Sequence, residues 1–198
     1  MTDTTTTFDL GPQARIIVRL AHGVRDGQLG RATPCPGCAV GNLLAHLTGL
    51  SVAFRDAARK DLGPTTDTPP DAAAPEPGPH WRADLAAALD ALVAAWRDPA
   101  ARTGMTRAGG VDLPGEVAAA VVADELVIHG WDLARATGQS YDPDPAALSA
   151  AYGFLSAATD AGSGAGPFGP VVPVPPDAPL LDRALGLSGR DPGWTPRS

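Results

Sequence analysis

Apolar residues recur along this chain with the period of helices. Ile16, Ile17, Leu20, Ala21 and Val24 fall on one stripe and predict a first helix over residues 8–28. Val40, Leu43, Leu44, Leu47, Leu50 and Phe54 predict a second over 39–60, with Thr33 or Cys38 placed to cap it. Leu85, Leu89, Leu92, Val93 and Trp96 mark a third over 81–97. Residues 103–113 carry Gly109-Gly110 and suit a hairpin. A fourth helix follows over 115–137, with Pro114 at its start and Gly138 at its natural stop. A fifth over 145–160 and a short one over 180–187 complete the pattern. Prolines cluster between Pro64 and Pro79 and again between Pro167 and Pro179, so both stretches are expected to be loops. No repeat of fixed period is present. The expected fold is all-α: a four-helix bundle with an additional C-terminal helix and Pro-rich loops. It forms a single domain over 1–198, in which 161–198 is a Pro/Gly-rich C-terminal extension.

Composition supports this reading. The chain has 198 residues, 37 of them Ala, and only 5% aromatics. Ala has the highest helix propensity, whereas a β-sandwich would draw on β-branched and aromatic residues. The 23 glycines and 21 prolines approach the level of a disordered chain, but their clustering leaves the helical segments largely free. A net charge of −7 without a basic run argues against a nucleic-acid partner. The longest purely apolar run, residues 117–123, is too short to cross a bilayer. The first ten residues have neither the basic nor the apolar region of a signal peptide. A cytoplasmic protein with reduced cysteines is therefore expected.

The fourth helix carries the chemistry. Glu125 and His129 are four residues apart and share a face, and Asp132 lies three further on roughly the same face. This face otherwise reads as core through Ala118, Val121 and Val122. Burying unpaired titratable groups there would cost about several kcal/mol, and a shared metal ion is a direct way to satisfy them. His46, mid-helix among leucines, is the best third ligand and completes a two-His, one-carboxylate set. Three protein ligands leave a position open, as in catalytic rather than structural sites. Such a centre activates a thiol towards an electrophile, or water towards hydrolysis. The spacing alone also describes an ordinary surface ion pair with a core histidine.

Other residues have two readings each. Asp132 either orients a ligand histidine and substrate or simply pairs with Arg135 at i+3. Arg135 either meets an anionic substrate group or lies at the surface. His22 is as much a surface residue as a site member. Cys35-Pro-Gly-Cys38 has the spacing of a redox pair or half a zinc site. No second pair completes a zinc site, and no βαβ pattern surrounds it, so a turn with two small buried side chains is expected. Trp81, Trp96 and Trp131 are expected in the core or lining a pocket.

Several stretches resemble the actinobacterial DinB-like metal-binding proteins, which are related to the N-terminal domain of mycothiol-dependent maleylpyruvate isomerase. They are Thr33-Pro-Cys-Pro-Gly37, Ala45-His-Leu47 and Ile128-His-Gly-Trp-Asp-Leu-Ala-Arg-Ala-Thr-Gly138, then Val171-Val-Pro-Val-Pro-Pro176 and Leu185-Gly-Leu-Ser-Gly-Arg-Asp-Pro192. The similarity runs from about residue 10 to 193. It implies a four-helix bundle and a divalent metal, usually zinc, on His46, Glu125 and His129. It also implies mycothiol as co-substrate and a small-molecule electrophile as its partner. In related sequences the Cys38 position is commonly Trp, and a short tail here replaces the isomerase's larger C-terminal domain. The alternatives are a non-catalytic metal- or ligand-binding bundle and a metal-dependent hydrolase or lyase. A homodimer is compatible with the sequence, which leaves the oligomeric state open.

Overall fold

The computed structural model describes residues 8–69, 76–159, 165–166 and 169–196. Its order is α1 (Gly11–Gly23), α2 (Val40–Arg59), α3 (Pro64–Asp67), α4 (Trp81–Trp96), β1 (Met105–Ala108), β2 (Val111–Pro114), α5 (Gly115–Thr137), α6 (Pro145–Ala158) and α7 (Leu180–Leu187). α2 packs along α4 and also against α5, and α1 lies against α4 and α5. These four helices form the bundle. α6 covers another side of α5, and α7 packs on α6. β1 and β2 pair antiparallel, with Arg107 opposite Asp112. Gly109 and Gly110 have φ of +60° and +78°, the left-handed pair that a two-residue hairpin turn requires.

The expected elements are present, with instructive differences at their ends. The first helix is shorter than its apolar stripe suggests. Asp9 accepts a hydrogen bond from the Gly11 amide at 2.9 Å and so begins it. At its other end Gln139 donates to the Leu20 carbonyl at 3.0 Å, so the chain leaves the helix at Val24 and makes a 3-10 turn over Asp26–Gln28. A Cβ at Gly23 would meet the Gln139 Oε1 at 2.2 Å. Neither Thr33 nor Cys38 caps α2. Asn42 instead accepts from the Ala39 amide at 3.2 Å. Within the first proline cluster, expected to be loop, Pro64 opens one helical turn, α3; a proline costs nothing in a first turn. The expected last residue of the fifth helix, 160, lies outside the described residues, as do parts of both proline clusters.

α5 is the central element. Every residue from Val122 to Ala134 is buried, so neighbours surround it. Its alanines and glycine let them approach closely. Gly130 is a required contact: a Cβ there would meet the Tyr141 hydroxyl at 2.8 Å and Ile17 Cδ1 at 2.9 Å. The Tyr141 hydroxyl donates to the Val127 carbonyl at 2.6 Å, and Gln13 Nε2 donates to the Leu126 carbonyl at 3.0 Å. Both carbonyls lie within one turn of His129. The three expected tryptophans are buried, and Trp96 Nε1 donates to the Phe54 carbonyl at 3.1 Å.

Two stability measurements follow from these contacts. Gly130→Ala should lower stability by about 1–3 kcal/mol through overpacking. Gly49→Ala, on an exposed face of α2 with no heavy atom within 4 Å of the added Cβ, should raise it by about 0.5–1 kcal/mol. Thermal denaturation of both variants reads the contrast. Asp9 is half exposed, and its hydrogen bond to Gly11 holds its carboxyl below the ordinary value against a small opposing effect of burial. Its contribution is therefore present above the unfolded value and lost as pH falls through the lowered one. Asp9→Ala should cost about 0.5 kcal/mol at neutral pH, and this difference should fade in denaturant titrations below about pH 4.

Candidate metal centre

His46 comes from the middle of α2, and Glu125 and His129 come from successive turns of α5. The packing of α2 on α5 brings them together. Their ligand atoms all lie within 4.8 Å of one another. Glu125 Oε2 is 3.0 Å from His129 Nε2 and 3.5 Å from His46 Nε2. The two imidazoles meet edge to face, with ring centroids 4.9 Å apart. Despite these short approaches Glu125 Oε2 is buried with no aligned hydrogen bond. Donors about 2.0–2.1 Å from a tetrahedral ion are roughly 3.4 Å from one another. The two Glu125–histidine spacings are close to that separation, and a cation would satisfy the orphaned oxygen. The His46 side chain is 26% exposed, against 11% for Glu125 and 6% for His129. The centre is thus open on the α2 side and closed on the α5 side.

Behind His129 lies a second carboxylate. Asp132 is fully buried, and its Oδ2 is 3.0 Å from His129 Nδ1. Nδ1 is thus engaged with Asp132, and Nε2 is the nitrogen that faces Glu125 and can bind a metal ion. Arg190 Nη2 donates to the same Asp132 oxygen at 3.1 Å, and Arg190 Nη1 donates to the Ser188 carbonyl at 3.0 Å. The pairing of Asp132 with Arg135 is therefore not formed. Arg135 donates instead to the Trp194 carbonyl at 2.5 Å and lies 5.8 Å from the Trp131 ring centre. His22 is exposed and is not a member of the cluster.

Protons compete for these groups in telling directions. Burial opposes charge on Glu125, but His129 and His46 outweigh it and hold the carboxyl below its ordinary value. Burial likewise opposes an imidazolium at His129, yet Asp132 and Glu125 raise it to about 10. The site strongly favours a positive charge between its carboxylates, as a proton or as a cation.

Three features escaped the sequence reading. Arg190 lies in a stretch noted only for its resemblance, and no spacing links it to Asp132, 58 residues away. The sole signal is Gly189, whose φ of +76° turns the chain just after α7. Asp124 is completely buried and neither carboxylate oxygen has a hydrogen-bond partner. Burial, with the adjacent Glu125 charge, pushes its carboxyl well above the usual range. Finally, Cys35 and Cys38 are free and only partly buried, whereas a turn with buried side chains was expected.

Comparison with known proteins identifies the fold and the family. An uncharacterized protein of Mycobacterium tuberculosis is 28% identical over 174 residues, covering 86% of this chain and 90% of that protein. The crystal structure of the mycothiol-dependent maleylpyruvate isomerase shares the fold with a TM-score of 0.64 at 19% identity, over 91% of this chain and 86% of that one. A histidine-to-alanine mutant of that isomerase matches with a TM-score of 0.60 at 18% identity, over 77% of this chain and 69% of that one. With 91% of the chain covered, the shared fold extends into the C-terminal part. The Mycothiol maleylpyruvate isomerase N-terminal domain family matches residues 10–134, which include all three candidate ligands and Asp132. On that match this DinB-like helical protein belongs to the mycothiol maleylpyruvate isomerase N-terminal domain family.

Proposed function

We propose that this chain is a metal-dependent enzyme of the thiol S-transferase or isomerase type, using mycothiol and a small electrophile as substrates. One observation carries the reading: a buried Glu125 oxygen without a hydrogen bond, faced by the Nε2 atoms of His46 and His129. A divalent cation held there, zinc by its nitrogen and carboxylate donors, would supply Lewis acidity that keeps a thiol deprotonated at neutral pH.

The chain's own residues have distinct parts. His46, Glu125 and His129 hold the ion. Asp132 is a positioning residue: with no exposed surface it reaches no substrate, but it fixes the tautomer and ring orientation of His129. Arg190 neutralises the second charge on that side and keeps Asp132 in place. The exposed side of His46 is where thiol and electrophile can enter. Buried walls on the α5 side exclude water from the other. Arg135 is engaged with Trp194, so a role on an anionic substrate group would require it to leave that carbonyl. The protein works as one domain over 1–198 in this reading, and the extension is part of the site through Arg190. No helix among the described residues is long and apolar enough to cross a membrane, and we place the protein in the cytoplasm.

Elemental analysis of the purified protein should find one equivalent of divalent metal per chain. His46→Ala and Glu125→Ala should lose it, and undiminished metal in either would remove the ligand assignment. Asp132→Asn should retain the ligands but weaken metal affinity about 10–100-fold, measured by competition with a chelating dye. Mass spectrometry and absorbance with mycothiol and maleylpyruvate test the chemistry. A rate above that of the chelator-stripped protein is expected, and equal rates would exclude isomerisation of maleylpyruvate while leaving the metal site intact.

A further inference from the structure

Cys35 and Cys38 have no part in the chemistry above, yet they are held for chemistry of their own. The Cys38 amide donates to the Cys35 carbonyl at 3.2 Å, closing a four-residue turn. Pro36 occupies its second position, and Gly37, with φ of +72°, its third. This residue pattern is the one that a type II turn requires. Thr33 clamps both ends: its hydroxyl donates to the Cys38 carbonyl at 2.8 Å and accepts from the Cys35 amide at 3.2 Å. A β-turn keeps its first and fourth Cα atoms within about 7 Å, a span that overlaps the roughly 4.4–6.8 Å needed for a disulfide. Both residues are partly exposed, and they are the chain's only cysteines.

The surroundings separate the two thiols. Cys38, as hydrogen-bond partner, brings the Cys35 thiol down to about 6; burial opposes this, and the charges of Arg190 and His129 assist it. Cys38 is raised in turn, by its bond to Cys35 and by burial, and its Sγ lies 3.6 Å from the Ala39 carbonyl as a donor. One thiol is thus prepared to attack and the other to follow.

We propose that the turn at Cys35 and Cys38 is a thiol–disulfide exchange site whose substrate is a low-molecular-weight disulfide. The Cys35 thiolate attacks one sulfur of the disulfide, forming a mixed disulfide and releasing the first thiolate. Cys38 then loses its proton to solvent and attacks the Cys35 sulfur. The bond between Cys35 and the small thiol breaks, and the second small thiolate leaves. Two protein thiols are oxidised to one disulfide while one small disulfide is reduced to two thiols, so electrons and protons balance. This site does not depend on the metal-centre function proposed above.

The test uses the full chain, reduced and then freed of reductant, with glutathione disulfide as probe. Intact-mass spectrometry should show the wild type losing two hydrogens and releasing two thiols, with peptide mapping placing the bond between 35 and 38. Cys38→Ser should accumulate a stable glutathione adduct on Cys35. Cys35→Ser should react about tenfold more slowly, since the greater thiolate fraction of Cys35 at neutral pH is partly offset by its lower intrinsic nucleophilicity. Circular dichroism of the helices confirms that both variants are folded. A wild type that keeps both thiols free, or equal adduct rates in the two variants, would overturn the proposal.

Discussion

Placing Glu125 and His129 on a helix surrounded by apolar neighbours costs about several kcal/mol unless each polar atom meets a partner. Asp132 is where that cost is met. It accepts hydrogen bonds from His129 Nδ1 on one side and the Arg190 guanidinium on the other, and it is itself completely buried. Removing any member of this chain of contacts would strand a charge in the interior. The link also joins the middle of α5 to the chain beyond α7, so the C-terminal extension is tied to the centre of the bundle.

The rest of the fold serves the same helix. α5 must be surrounded to bury its site, and small residues make that possible. Gly130, next to His129, admits Tyr141 and Ile17 to within contact of its backbone. Tyr141 and Gln13 then bond to carbonyls within a turn of His129. These bonds come from α1 and from the segment after α5, so helix packing and site orientation are set by the same contacts. The lean, Ala-rich composition follows from this demand for close approach. Asp124 departs from the pattern: a buried carboxyl with no partner, adjacent to Glu125. Nothing among the described residues repays it.

A gradient of exposure organises the chemistry. Glu125 and His129 are closed in from the α5 side, while His46 is accessible from α2. Just before α2, the Cys35–Cys38 turn lies where the charges of Arg190, His129 and Asp132 act on its thiols. The candidate metal centre and the dithiol turn thereby share an electrostatic neighbourhood. The cysteine pair takes no part in the His46, Glu125 and His129 cluster.

Local patterns were legible in the sequence because they depend on residues a few positions apart. The helix stripes, the Gly109-Gly110 turn and the four-residue spacing of Glu125 and His129 are all of this kind, and even His46 could be selected as a histidine on another apolar stripe. Helix ends were less legible, since α1 stops where Gln139 reaches it from far along the chain. Arg190 was missed for the same reason: proximity in sequence offered Arg135 as an i,i+3 partner of Asp132, but burial made the distant arginine its partner. The sequence by itself determined which segments are helical and which side chains could ligate a metal, because periodicity and spacing act within one element. Only the tertiary structure decided which ligands meet, which carboxylate is paired and which thiols are reachable, because long-range packing sets burial, and burial sets what each charge must find.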